Sequence, residues 1–272
     1  MGWWTPFGGW AVAWAGLAAP MAVGVLTWLA SLLRRDVSLV DRVWSLCIFS
    51  AGVVYAVMAA QSTPRMAWML ALAGAWALRL AAYITRRNWG HPEDARYQAI
   101  RKRNQPNFEL KSLVIIFMLQ AVLAWIVSAP LLAGVTSARP LGALDLVGIA
   151  LTAFGIVFEA VGDAQMAAFK ANAGNRGKEV GKVMDQGLWA YTRHPNYFGE
   201  CCVWWGLWLM ALSAGGGWSI VSPLLMTFLL LKVSGVTLLE QGMVKRRPAY
   251  ADYIACTNAF VPGPRRSTRT TP

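Results

Sequence analysis

Continuously apolar stretches of about 20 residues recur along this 272-residue chain, and they constrain its fold more than any other feature. Wound as a helix at about 1.5 Å per residue, such a stretch crosses the ~30 Å hydrocarbon core of a bilayer. Seven are read, at roughly 8–33, 40–61, 65–86, 113–134, 144–169, 197–214 and 218–240. None alternates apolar with polar, so a transmembrane β-barrel is not expected. The first has no basic flank and is too long for the core of a signal peptide, so it counts as a span. The expected fold class is therefore an all-α integral membrane protein, a seven-helix bundle in one membrane domain.

Charge then orients the bundle. Only 14% of residues are charged, against about a quarter in a soluble domain, yet Lys and Arg number 25 against 13 Asp and Glu, a formal net charge of +12. Disorder is excluded by so apolar a composition, and a soluble nucleic-acid-binding protein would not be 57% hydrophobic. With seven spans the loops alternate between two sides. One side holds 34–39, 87–112, 170–196 and the C-terminal tail; the other holds the N-terminus, 62–64, 135–143 and 215–217. Arg65 and Arg139 alone of the basic residues fall on the second side. Basic loops mark the cytoplasmic face, which predicts an external N-terminus and a cytoplasmic C-terminus. The residues from Gly263 onward are expected to fray.

Ionisable groups inside spans are costly and tend to be functional. Asp41, Glu159, Asp163, Glu200 and Glu240 lie within or at the inner ends of spans, whereas Asp145 alone is at the outer face. Five carboxylates at one depth suggest a polar cavity open to the cytoplasm, although pairing with nearby Arg is the simpler explanation for any one of them. Cys47, Cys201, Cys202 and Cys256 show no metal spacing, and His91 and His194 are too scattered for a usual metal site, so no metal is expected.

The densest chemistry is in residues 185–200. Pro195 suits the first turn of a helix, and the free N–H groups of that turn favour anionic or carbonyl partners. Asn196 and Glu200, four residues apart, share a face, with Arg193 and His194 just before them. Trp189, Tyr191 and Tyr197 would otherwise read as interfacial anchors. Glu159 and Asp163 share a face one turn inside the boundary and can accept hydrogen bonds from hydroxyls or amides; Gln165 and Lys170 follow. Asn172, Asn175, Arg176, Lys178 and Lys182 form a basic loop suited to phosphate or to anionic lipid headgroups. Arg79, Tyr83, Arg86 and Arg87 line the end of the third span, where Arg79 is deep enough to need an anionic partner. Glu240, Arg246, Tyr250, Asp252 and Tyr253 read as a cap over the cytoplasmic mouth, or as a lipid-binding surface. Walker, GxGxxG, HExxH and GxSxG sequences are all absent.

The run Gly187-Leu-Trp-Ala-Tyr-Thr-Arg-His-Pro-Asn-Tyr-Phe-Gly-Glu200 resembles the C-terminal domain of steroid 5-alpha-reductases and their bacterial relatives. Asp41-x-x-Trp44, Trp76-x-x-Arg79-x-x-x-Tyr83 and Glu159-x-x-x-Asp163 are similar to the bacterial branch, so the resemblance spans about residues 40–262. It implies a seven-helix enzyme of the bacterial inner membrane that uses NADPH to reduce the C4–C5 double bond of a 3-oxo-Δ4-steroid or similar apolar enone. Residues 8–143 would then carry the substrate side and 144–262 the NADPH-binding part.

Carried over by motif, Asn196 and Glu200 belong near the nicotinamide. Asp163, Lys170, Arg193, Arg79 and Arg86 or Arg87 serve ribose and phosphates, and Asp41 orients the substrate carbonyl. The family's tyrosine partner of that acid is replaced here by Trp76, which leaves Tyr55, Tyr83 or Asp41 itself as proton donor. The Arg-His-Pro-x-Tyr core and a Glu…Tyr-x-x-Tyr tail are also shared with isoprenylcysteine carboxyl methyltransferases, which use S-adenosylmethionine. The implied partners are an apolar substrate entering from lipid and the membrane lipids themselves, with no nucleic acid and no obligate protein partner.

Overall fold

A computed structural model describes residues 8–172, 182–233, 240 and 249–266. All regular structure among them is helical. Five helices are long and apolar enough to cross a membrane, beginning with Gly9–Arg34, Leu39–Met58 and Pro64–Arg87 and continuing with Phe108–Val127 and Ala143–Ala171. The protein is a multi-helix, multi-pass membrane protein. Two of the seven expected spans differ from these five. The 19-residue helix Pro195–Ser213 is less apolar because it begins with Pro, Asn and Tyr and carries Glu200. Gly217–Val233 is a shorter apolar helix, and the expected span 218–240 continues into residues outside those described.

In chain order the elements are α1 (Gly8–Arg34), α2 (Leu39–Met58), α3 (Pro64–Arg87), α4 (Ala95–Arg103) and α5 (Phe108–Ser112). A π-helical stretch, Leu113–Met118, joins α5 to α6 (Leu119–Val127), and α7 (Ala129–Val135) follows. The fourth span thus starts before the expected 113. It is interrupted at Ser128, because Pro130 lacks the N–H that would continue the ladder and starts α7 instead. Next come α8 (Ala143–Ala171), a 3₁₀ turn at Gly187–Ala190, α9 (Pro195–Ser213), α10 (Val221–Phe228) and α11 (Ala249–Cys256).

The chain divides into two compact units rather than at residue 143. One unit runs to Ile149 and includes Leu207–Ser222; the other comprises Ala150–Gly206 and the chain from Pro223 onward. Each of the long helices α8 and α9 therefore contributes one end to each unit.

In the first unit small residues set the packing. The ring of Tyr55 occupies the space a side chain at Gly16 would need, and Tyr55 Oη lies 3.0 Å from Ser128 Oγ. Trp125 donates to the Ala13 carbonyl at 2.8 Å and stacks on Trp14, which fixes α1 against α6. At one end of this unit Arg65 and Asp145 form a fully buried ion pair at 2.7 Å. Arg65 also donates to the carbonyls of Arg139 and Pro140, each at 2.8 Å. The three charges expected on the outer side are thereby gathered at one end. The opposite end gathers Asp36, Arg42, Asn88 and Glu93: Arg42 donates to the Asn88 carbonyl at 3.3 Å, and the Val37 amide donates to Glu93 at 2.9 Å.

In the second unit α8 and α9 cross with their backbones in contact. A Cβ at Gly155 would fall 2.6 Å from the Gly199 carbonyl, and one at Gly199 would fall 2.7 Å from the Glu159 amide. Small residues at such a crossing let two membrane helices approach closely. The expected frayed tail differs at its start. The Gly263 amide donates to the Tyr191 carbonyl at 3.1 Å, Arg265 pairs with Asp185 at 2.9 Å, and the Arg266 amide donates to the Cys256 carbonyl at 2.8 Å. A polar composition does not free a tail whose amides find acceptors in the core it crosses. Residues 267–272 lie outside those described.

Candidate functional site

The close approach at Gly155 and Gly199 positions the first candidate cluster, in the second unit. A side chain at Gly162 would touch Pro195 at 3.1–3.2 Å, so the face of α8 bearing Glu159, Gly162 and Asp163 lies along the first turn of α9. Glu159, Asp163 and Glu200 are buried there, and Asn196 is half-buried. Glu159 and Asp163 thus lie on a face of α8 that runs beside the first turns of α9, the segment that carries Asn196 and Glu200. Gly187 has φ of 58°. A side chain there would strike Gln165, whose carbonyl accepts from the Leu188 amide at 2.9 Å. Trp189 donates its indole N–H to the Gly162 carbonyl at 3.0 Å, which holds the turn on α8.

Arg193 sits at the centre of a second arrangement in this unit. Its guanidinium makes a two-pronged contact with Glu240, Nε to Oε1 at 2.7 Å and Nη2 to Oε2 at 3.1 Å. Nη1 donates to the carbonyls of Ile254 and Thr257. Such forked pairs are among the stronger charge-assisted contacts. Every nitrogen of Arg193 that can donate is therefore engaged by the protein itself. His194 Nε2 lies 3.1 Å from Glu240 Oε1, and its ring stacks on Tyr197 with 5.4 Å between centroids. Tyr253 donates to the Trp189 carbonyl at 2.6 Å, and Tyr250 meets Tyr253 edge-on at 5.5 Å. Burial raises both phenols, that of Tyr250 to about 12. Lys170 and Tyr191 are exposed. Asn175, Arg176 and Arg246 lie outside the described residues.

The first unit holds a separate cluster around Asp41. Tyr97 Oη donates to Asp41 Oδ1 at 2.5 Å, and Arg96 Nη2 donates to Oδ2 at 3.0 Å. Gln120 donates to Tyr97 Oη at 3.3 Å, and Arg96 is braced by Asp94 at 2.9 Å. The Tyr97 ring is buried among Val37, Val40, Phe108, Ile116 and Phe117. Burial, and next to it the Asp41 carboxylate, raise the phenol well above the ordinary tyrosine range, so it stays protonated and able to donate.

The phenol that pairs with Asp41 is therefore Tyr97, a residue absent from the expected set. Tyr55 is 14 positions further along the same helix, about 21 Å at 1.5 Å per residue. It is fully buried against Ser128, so it is out of reach. Tyr83 lies beneath the Arg87 guanidinium, 5.7 Å from its centre. Arg86 and Arg87 are exposed and Arg79 is half-buried. The segment 87–112 carries a signal that leads to Tyr97. Asp94 is an N-cap whose side chain accepts from the Arg96 amide at 2.8 Å, which starts α4 and turns Tyr97 inward.

A family model described as "Protein of unknown function (DUF1295)" matches residues 27–257. The chain belongs to the DUF1295 family. Comparison with curated proteins and with solved structures finds no match. The match to DUF1295 takes in both the Asp41–Tyr97 cluster and the Glu159–Glu200 cluster. The donor set of the second unit suits a phosphorylated dinucleotide in kind. Glu159, Asp163 and Glu200 are buried hydrogen-bond acceptors, and Lys170 and Lys182 are exposed cations. Among the described residues of this DUF1295 chain no group of His, Cys, Asp and Glu is placed to hold a metal ion.

Proposed function

We propose that the protein is an NADPH-dependent membrane reductase of an apolar conjugated ketone, of the 3-oxo-Δ4-steroid type, taken from the lipid phase. Its main support is the hydrogen bond from Tyr97 to Asp41 beside Arg96, a neutral phenol held by a carboxylate at the end of a membrane bundle. Reduction of a C=C bond conjugated to a carbonyl needs an electrophile at that oxygen, because enolate charge develops there as hydride reaches the β-carbon. Tyr97 meets this need. Its O–H turns from Asp41 to the carbonyl oxygen and gives up its proton as the charge develops. Asp41, held by Arg96, fixes the phenol's position, and Gln120 donates to its oxygen.

NADPH, when bound, supplies the hydride. Glu159, Asp163, Asn196 and Glu200 are assigned to its ribose and nicotinamide, and Lys170 and Lys182 to its phosphates. Arg193 would have to surrender Glu240 to make a further phosphate contact. Seven membrane crossings, an external N-terminus and placement in a bacterial inner membrane complete the proposal. The strong bias of Lys and Arg to one set of loops supports the orientation.

Thermal melting in detergent with NADPH or with S-adenosylmethionine separates reductase from methyltransferase. NADPH alone is expected to raise the melting temperature; a rise with S-adenosylmethionine alone overturns the assignment. Membranes given NADPH and a 3-oxo-Δ4-steroid are expected to form a product two hydrogens heavier, and deuterium from labelled NADPH should appear at the β-carbon.

A further inference from the structure

A cavity of about 310 Å³ opens in the first unit where α1 ends against α5, and it shares Val37 and Phe108 with the shell around Tyr97. Ser31, Leu32, Arg35, Arg101, Phe108 and Glu109 line most of it. Its two arginines differ. Arg101 is consumed internally, by Glu93 at 2.9 Å, by Glu109 at 3.3 Å and by the face of Phe108. Arg35 is exposed, and its guanidinium makes no hydrogen bond or ion pair with any described residue. The neighbouring carboxylate, Asp36, is taken by Ser38 at 2.5 Å and by Arg42 at 3.7 Å. Ser31 and Ser112 donate their hydroxyls to the carbonyls of Trp28 and Glu109. Arg35 is thus the surplus charge of a cavity whose other polar groups are satisfied.

The backbone at Arg35 is an independent sign. Helix α1 closes with the Asp36 amide bonding back to the Ser31 carbonyl at 3.1 Å, and Arg35 occupies the left-handed position of that closure, with φ of 52°. Glycine is the usual residue there. A bulky cation kept at a place that suits glycine points to a use for its side chain. The surroundings name the use. Leu33, Leu110 and Val114, close in sequence to the lining residues Leu32, Glu109 and Ser112, are 88%, 67% and 63% exposed. On a membrane helix such side chains face acyl chains. Lys111 and Arg34 add exposed cations at the same level.

We infer that this cavity binds the phosphodiester headgroup of an anionic glycerophospholipid, with Arg35 as the phosphate ligand and the Leu33–Leu110–Val114 surface against the acyl chains. The site does not rest on the proposed reductase chemistry, although Val37 and Phe108 belong both to its wall and to the shell around Tyr97. The test uses the full chain in detergent, given phosphatidylglycerol or phosphatidylcholine of matched acyl chains, with bound lipid counted by native mass spectrometry. The wild type is expected to retain phosphatidylglycerol over phosphatidylcholine. Arg35→Gly should retain about fivefold less phosphatidylglycerol, the effect of one interfacial cation, while melting no lower than wild type without added lipid because it relieves the backbone. Arg35→Lys, which keeps the charge, should retain the preference. Equal retention by Arg35→Gly and wild type overturns the site. Displacement of the lipid by millimolar inorganic phosphate overturns the lipid assignment in favour of a soluble anion.

Discussion

Replacing Asp145 by Leu should be among the most damaging single changes outside the candidate sites, and the network around it gives the scale. Asp145 accepts from Arg65 Nε at 2.7 Å and Nη2 at 2.8 Å, from the Gly142 amide at 2.8 Å and from Ser213 Oγ at 2.5 Å. Both charged side chains have no exposure at all. Removing one partner of such a pair leaves an uncompensated buried charge, at a cost of about 3–5 kcal/mol. For a chain of this size that lowers the melting temperature by roughly 6–20 °C, at ~2–4 °C per kcal/mol. Arg65→Met should cost a similar amount. The double variant Arg65→Met, Asp145→Leu removes both charges together and strands only neutral groups: the carbonyls of Arg139 and Pro140, the Gly142 amide and Ser213. It should be no less stable than the worse single variant, so the coupling in the double-mutant cycle should be about 3 kcal/mol or more. Reversible unfolding in mixed detergent micelles, followed by circular dichroism, measures all four corners. Additive single effects would refute the premise that charge pairing, rather than local packing, holds this end of the first unit together.

Tyr97→Phe keeps the buried ring but removes the proton donor. Turnover of a 3-oxo-Δ4-steroid should fall about 100-fold or more, while NADPH still raises the melting temperature; unchanged turnover removes Tyr97 from the reaction. Gly199→Leu should prevent the approach of α8 to α9, because even its Cβ would lie 2.7 Å from the Glu159 amide, and it should abolish any cofactor-dependent thermal shift. Gly217→Leu, whose Cβ would meet only Leu212 at 3.3 Å, serves as its control. In alkali the phenols of Tyr97, Tyr250 and Tyr253 all titrate above the ordinary tyrosine value of 10.0 because burial favours their neutral form. A raised folded-state value means stability that is complete below pH ~10 and lost as pH rises beyond it. The melting temperature should drop between pH 10 and 12, and the drop should be smaller in Tyr97→Phe.

Hydrophobic length alone makes the helices legible, since hydrocarbon leaves a segment of 20 apolar residues few alternatives. Their interruptions are less so. The π-helical stretch Leu113–Met118 and the break at Ser128 depend on how α6 meets its neighbours, and only Pro130 announces either of them. The division into units is hidden because it falls inside helices α8, α9 and α10. In the candidate site, spacing along one helix is informative: Glu159 with Asp163 and Asn196 with Glu200 follow from four-residue separation. The meeting of those two pairs follows from Gly155, Gly162 and Gly199, whose missing side chains carry no hydrophobic or charge signal. The partner of Asp41 fails for a related reason. A search for a phenol along the third span finds Trp76, whereas the acid meets a tyrosine from α4, 56 positions away.

The segment Tyr191–His194 illustrates how a motif rich in functional residue types can be occupied by structure. Thr192 donates to the Phe260 carbonyl at 2.7 Å and accepts from the His194 amide at 3.3 Å. The Arg193 amide donates to the Asn258 carbonyl at 2.9 Å, and the Tyr191 carbonyl accepts from Gly263. Together with the Arg193–Glu240 fork, these bonds tie the stretch from α11 to Gly263 onto the start of α9. Arginine suits this task, because one planar fork satisfies a carboxylate and two carbonyls that would otherwise be buried unpaired. The second half of the motif, Asn196 to Glu200, instead lies along α8 near Glu159 and Gly162. Glu240→Gln should therefore disturb the docked segment before it disturbs turnover. Limited proteolysis, at enzyme levels that leave the wild type intact, should register the loss while NADPH binding persists. Simultaneous loss of binding would return Arg193 to the cofactor.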